Sequence, residues 1–167
     1  MAAARAGGII ANSTNQKDFF LENVEIQNSL LNLALNKKIK RTIFLGTSCI
    51  YPKFSKTPIK EESLLTGKLE KTNQCYAIAK ISGIKLCEAL IEDFNLDIIC
   101  LMPTNVYGHN DNFHKVNGHV IPAMITKFEE AIKKKKNEIT LLGTGKPLRE
   151  FIHADDLALA IIFSLNL

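Results

Sequence analysis

Two short, largely apolar runs, residues 42–45 and 96–102, constrain the fold of this chain more than any other feature. Thr42-Ile43-Phe44-Leu45 follows the charged pair Lys40-Arg41 and stops at Gly46, while the second run stops at Pro103. A strand with apolar residues on both faces must be buried on both, which is the situation of a parallel strand in a helix-covered sheet. The segments around these runs have the complementary pattern. Residues 17–36 place Phe20, Val24, Leu31 and Leu35 at helical spacing, and residues 74–94 do the same with Ile78, Ile81, Ile84, Leu86, Ala89 and Leu90. A third helix is expected over 120–136, with Pro122 in its first turn. Residues 138–142 read as a strand, 143–148 as a turn, 149–153 as a short strand and 155–165 as a helix. The connections 51–73, with Pro52, Pro58 and Gly67, and 104–118, rich in Asn, Gly and His, read as long surface loops. The expected fold class is therefore α/β, a doubly wound parallel sheet covered on both faces.

Composition narrows the function. A chain of 167 residues that is 46% hydrophobic has the means to bury a core, and it contains neither a run of 18 apolar residues nor a secretory leader pattern. A cytoplasmic protein with no membrane partner is expected. The net charge is +4, and its densest stretch, residues 133–136, suits a solvated helix end better than a nucleic-acid surface. Cys49, Cys75, Cys87 and Cys100 lack C-x-x-C spacing, so reduced thiols are expected. His109, His114 and His119 recur every five residues, a spacing that does not put ligands on one helix face, and no metal site is expected.

Tyr76 and Lys80 lie four apart on an expected helix, so they share a face. An ammonium beside a phenol favours phenolate and is expected to lower the tyrosine pKa. Alone, this spacing is weak. Thr47 and Ser48, however, directly follow the first strand, where hydroxyls point into the crevice that binds ligands in α/β sheets. A hydroxyl and a tyrosine sharing one carbonyl oxygen polarise a ketone, which assists both hydride addition and loss of the adjacent C–H protons.

Five segments carry a resemblance: T-S-C-I-Y-P from Thr47, Y-A-I-A-K-I-S-G-I-K-L-C-E from Tyr76, M-P-T-N-V-Y-G-H-N-D-N-F from Met102, H-V-I-P-A-M from His119 and G-T-G-K-P-L-R-E-F-I-H-A-D-D from Gly143. In this order and spacing they resemble the GDP-L-fucose synthases, epimerase/reductases of the extended short-chain dehydrogenase/reductase superfamily. The resemblance implies a Rossmann-like fold, NADPH (NADP+) as cofactor and a GDP-sugar substrate. It implies that GDP-4-keto-6-deoxy-mannose is epimerised at C3 and C5 and then reduced at C4. Thr47, Tyr76 and Lys80 fall on the family's reductive residues, with Tyr76 protonating the C4 oxygen and Lys80 holding the nicotinamide ribose. Cys49 and His119 fall on its epimerising pair. Cofactor contacts are implied for Leu45, Gly46, Thr47, Ser48, Tyr76, Lys80, Pro103, Thr104, Asn105, Val106 and His119. Substrate contacts are implied for Lys127, Leu142 and Arg149. Lys127 stands where arginine is common in the family, and Leu142 where some members have tryptophan. The resemblance also implies a homodimer through the helices at 17–36 and 74–94.

A cofactor domain of this class opens with a strand, a G-x-x-G-x-x-G turn and a helix, and no such turn occurs among the nine glycines. The chain thus reads as a piece of a longer enzyme that starts near the fourth strand of the sheet and stops within the substrate domain. Residues 1–118 and 149–167 would belong to the Rossmann domain and 119–148 to the substrate domain. Taken alone, the piece is expected to be silent or very weak in catalysis.

Overall fold

A computed structural model describes residues 1–115, 117–141 and 143–167. Its elements are α1 (Ile9–Thr14), α2 (Gln16–Asn36), β1 (Thr42–Leu45), α3 (Gln74–Phe94), β2 (Ile98–Leu101), β3 (Asn105–Tyr107), α4 (Val120–Lys133), β4 (Phe151–His153) and α5 (Ala154–Leu165). The strands form two parallel ladders. β1 pairs with β2, Thr42 opposite Ile98 and Leu45 opposite Leu101, and β3 pairs with β4, Asn105 opposite Phe151.

The core gathers Leu31 of α2, Phe44 of β1, Ile81, Ile84, Cys87 and Leu90 of α3, and Ile98 of β2. Helices α2 and α3 pack closely because Gly83 has no side chain. A Cβ there would stand 2.5 Å from Phe44 Cζ and 2.6 Å from Gln27 Oε1. Gln27 is buried and donates from Nε2 to the Ala79 carbonyl at 2.8 Å and to Ser82 Oγ at 3.0 Å, so a polar side chain locks the register of the two helices. α3 ends at Asn95 in the left-handed conformation (φ 52°), a position asparagine tolerates.

The structure corrects the sequence reading at several places. Residues 105–107, expected in a loop, form β3, because the short strand at 151–153 lies alongside to share its hydrogen bonds. Conversely, residues 138–141 form no strand, for no described segment offers them a ladder partner. The third helix stops at Lys133 rather than at residue 136, and the chain turns at Lys135 with φ 50°. Lys133 and Lys134 reach back to Glu129 and Glu130 from this exposed end. The short α1 was not anticipated.

All four cysteines are free. Among the described residues no helix is long and apolar enough to cross a membrane.

Candidate active site

The C-terminal end of β1 runs into Gly46 and Thr47, and the site grows from there. Gly46 N–H donates to the Leu101 carbonyl at 2.8 Å, extending the β1–β2 ladder by one bond, and a Cβ at Gly46 would collide with the Met102 side chain. A side chain at Gly46 would have to displace the end of Met102, while the Leu101 carbonyl oxygen would lie at ordinary contact distance. Thr47 then leaves the strand and caps a single helical turn, Ser48–Ile50, its Oγ1 accepting the Cys49 N–H at 3.3 Å. That turn carries both Thr47 and Cys49.

α3 brings Tyr76 and Lys80 to the same place. Tyr76 is hydrogen-bonded to the Thr47 side chain, and its phenol lies close enough to Cys49 for a thiolate there to raise its pKa. Lys80, on the next turn, is buried, donates from Nζ to the Leu45 carbonyl at 2.9 Å and sits 5.2 Å from the centre of the Phe44 ring. Leu45, Gly46, Thr47, Cys49, Tyr76 and Lys80 are thus one connected group.

Its electrostatics differ from the simple expectation. Burial first, and then the neighbouring Cys49, push the Tyr76 pKa up to about 12, with the Thr47 hydrogen bond acting the other way. Lys80 does not lower it. Burial holds the lysine itself below its ordinary pKa, and its ammonium is engaged by the Leu45 carbonyl. At neutral pH the group presents a protonated phenol close to the Cys49 side chain.

The remaining expected residues lie at varying remove. Ser48 is exposed beside Thr47. Pro103 and Thr104 follow the end of β2, while Asn105 is fastened across the second ladder, its Nδ2 donating to the Glu150 carbonyl at 2.9 Å; Val106 pairs with Ile152. His119 caps the start of α4, half-exposed, with Nδ1 3.9 Å from the Asp111 carboxylate. No hydrogen bond or ion pair joins His119 directly to the Tyr76 group among the described residues. Lys127 is half-buried on α4 in a shallow cleft with Glu130, Lys134 and Glu138. Arg149 is exposed and donates to the Leu148 carbonyl at 2.8 Å. Leu142 lies outside the described residues.

Two residues were not singled out from sequence. Phe19 is buried and meets the Tyr76 ring edge-on at 6.4 Å, and Asp111 faces His119. Asp111 stands in the D-N-F segment already noted, so its proximity to a functional motif was a usable signal. Phe19 carried none, since an apolar residue on an amphipathic helix reads as core.

Comparison with known proteins fits this geometry. The profile of the NAD dependent epimerase/dehydratase family matches residues 1–167. The chain is 51% identical over 166 residues to GDP-L-fucose synthase 1 of Arabidopsis thaliana, covering 99% of this chain and 51% of that protein. It is 47% identical over 167 residues to GDP-L-fucose synthase of Escherichia coli (strain K12), covering 100% of this chain and 52% of the relative. The chain therefore spans about half the length of the curated relatives it matches. Among solved structures, a GDP-L-fucose synthetase from Naegleria fowleri bound to NADP superposes with a TM-score of 0.84 at 30% identity, over 98% of this chain and 53% of that one.

Proposed function

Because this chain belongs to the NAD dependent epimerase/dehydratase family, we propose that it carries the catalytic centre of a GDP-L-fucose synthase, which epimerises a GDP-4-keto-6-deoxy sugar at C3 and C5 and reduces it at C4. The observation that carries this reading is the joining of Thr47, Cys49, Tyr76 and Lys80 at the end of β1.

Each side chain has a task suited to its surroundings. With its pKa raised to about 12, Tyr76 remains protonated at neutral pH and donates to the C4 oxygen as charge develops there. Thr47 supplies a second hydroxyl toward the same oxygen. Stabilising that oxygen acidifies the flanking C–H bonds, and Cys49 and His119 act as the acid and base that invert C3 and C5. Lys80 suits the ribose hydroxyls of a nicotinamide nucleotide. Among the described residues one of its three N–H bonds is directed to a protein acceptor, at Leu45, which leaves two for a ligand. When bound, NADPH supplies the hydride for C4. Pro103, Thr104, Asn105 and Val106 flank the same strand ends, and Leu45, Gly46 and Ser48 line the turn between them. Lys127, Leu142 and Arg149 contact the GDP-sugar, within a substrate domain that takes in 119–148, while 1–118 and 149–167 form the cofactor domain.

A homodimer through α2 and α3 accompanies this reading, supported by the exposed Leu21, Ile78 and Ile91 on those helices. A Leu21→Glu, Ile78→Glu variant should then sediment as a monomer, whereas an unchanged sedimentation coefficient removes that interface. A cytoplasmic setting suits four free cysteines.

The decisive experiment places this chain in the Arabidopsis thaliana synthase in place of its matching half. Cys49→Ser should stop incorporation of solvent deuterium at C3 and C5 while sparing reduction of an already epimerised sugar. Tyr76→Phe should slow reduction by about 100- to 10,000-fold. A chimera that oxidises NADPH normally with Tyr76 replaced would overturn the reading.

A further inference from the structure

The N-terminal segment touches both sides of the site. Arg5 is held to α2 through Asn23, which accepts the Arg5 N–H at Oδ1 (3.1 Å) and donates from Nδ2 to the Arg5 carbonyl (3.0 Å). The Arg5 guanidinium lies 5.3 Å from the centre of the Phe19 ring, and Phe19 in turn meets Tyr76 edge-on at 6.4 Å. Gly7 packs on the same ring, for a Cβ there would stand 3.2 Å from Phe19 Cζ. This is the reductive side.

One residue later the segment reaches the loop that ends at His119. Gly8 N–H donates to the Asn117 carbonyl at 3.0 Å, and a Cβ at Gly8 would stand 2.5 Å from the Gly118 carbonyl oxygen. Gly118 is itself buried, donates to the His114 carbonyl at 2.8 Å and has no room for a side chain, since a Cβ would meet that carbonyl at 2.6 Å. Backbone therefore lies directly on backbone, between residues distant in sequence. Asn12 closes the bracket from inside: it is buried, and its Nδ2 donates to the Gly7 and Gly8 carbonyls at 2.7 and 3.2 Å. His119 follows this contact immediately and is anchored on its other side as the N-cap of α4, its carbonyl accepting the Ala123 N–H at 3.1 Å.

We propose that Gly8 and Asn12 are positioning residues, which set where the His119 imidazole stands relative to Tyr76 and Cys49. This rests on the functional reading given above. Neither residue touches the sugar. Gly8 acts through the Asn117–Gly118 backbone, and Asn12 acts by holding the Gly7–Gly8 turn in the shape that makes the contact. Because catalysis is sensitive to displacements of about 1 Å, a disturbed bracket should harm the step that uses His119 and leave the step that uses Tyr76 and Lys80.

The test uses two variants with opposite perturbations. Gly8→Ala pushes on the Gly118 carbonyl, and Asn12→Ala removes two hydrogen bonds while adding no atoms, so it carries the test if the first variant fails to fold. In the Arabidopsis thaliana chimera both should slow solvent-deuterium exchange at C3 and C5 by about 10- to 100-fold. Reduction of an epimerised 4-keto sugar should stay within about twofold. Equal losses in the two steps, or unchanged exchange, would overturn the proposal. In the 167-residue chain itself, NMR should show the His119 amide and imidazole signals displaced in both variants, with the Lys80 amide unmoved. If the parent chimera neither exchanges nor reduces, the functional reading fails; the NMR arm still judges the bracket, and unmoved His119 signals reject it.

Discussion

The region up to Leu101 holds the core of large apolar side chains, although Ile9, Leu21, Phe54, Ile78 and Ile91 stay exposed, whereas the region from Asn105 onward buries only Pro122 and smaller side chains among the described residues. Every member of the central core, from Leu31 to Ile98, belongs to the first region. The second region leaves Val120, Ile125, Phe128, Ile132, Leu159 and Phe163 exposed, and its buried side chains are small: Ala123, Ala131, Pro122 and Ser164. This divides the candidate site as well. Thr47, Cys49, Tyr76 and Lys80 are seated on well-packed elements, while His119, Lys127 and Arg149 sit on elements with little cover in this chain. Tyr76 and Lys80 are held by the core itself, while the loop that leads to His119 is held by backbone contacts such as Gly8 to Asn117.

Deleting side chains is the strongest way to break this contrast. Leu31→Ala, at a fully buried position, should cost about 3–5 kcal/mol. Leu159→Ala, at a position 64% exposed, should change stability by less than about 0.5 kcal/mol. Urea denaturation measures both, and comparable losses would mean that the second region has a core as consequential as the first.

Alkaline pH gives the next largest effect, through the buried phenol. Tyr76 in the fold holds its proton up to about pH 12, against an unfolded value near 10. Its contribution is fully present below the unfolded value and is lost as pH rises through the folded one. The loss should approach about 2–3 kcal/mol. Lys80, lowered in the fold, acts in the opposite sense, so the tyrosine's share is read by comparison with Tyr76→Phe, whose stability should fall less between pH 10 and 12. Parallel curves would show that the phenol is not held in the buried region as described.

Gly83→Ala should cost about 1–3 kcal/mol by forcing Phe44 and Gln27 apart. A thermal shift no larger than that of an exposed substitution would show that the α2–α3 contact is looser than the geometry implies. At the small end, Glu129→Gln breaks the exposed pair with Lys133 on α4 and should alter the unfolding free energy measured in urea by less than about 0.5 kcal/mol. A larger change would reveal that α4 relies on its surface charges.

The parts legible without a structure were those written in local pattern. The two long helices were expected at 17–36 and 74–94 and lie at Gln16–Asn36 and Gln74–Phe94. Their extents hold, but the fully buried line of α2 runs through Phe19, Asn23, Gln27, Leu31 and Ala34, so of its expected apolar face only Leu31 is fully buried, and on α3 Ile81, Ile84 and Leu90 are buried while Ile78 is exposed. β1 was equally legible, being apolar and bounded by charge and glycine. β3 was not, because Asn105-Val106-Tyr107 becomes a strand only through pairing with a segment more than forty residues away. Residues 138–141 failed for the opposite reason, having strand-like composition without a neighbour to bond.

The same division applies to Tyr76 and Lys80, where sequence by itself determined that the two share a helix face, and motif order tied them to Thr47, Cys49 and His119. Only the tertiary structure decided their charge. Burial, and then Cys49, set the phenol's pKa above its ordinary value, and Lys80 is not among the groups that lower it. It also decided which backbone contact holds the approach to His119, because the Gly8 amide and the Asn117 carbonyl, far apart in sequence, meet only in the fold. Spacing along a helix fixes which side chains are neighbours; solvent exclusion and long-range contacts fix what those neighbours do to one another.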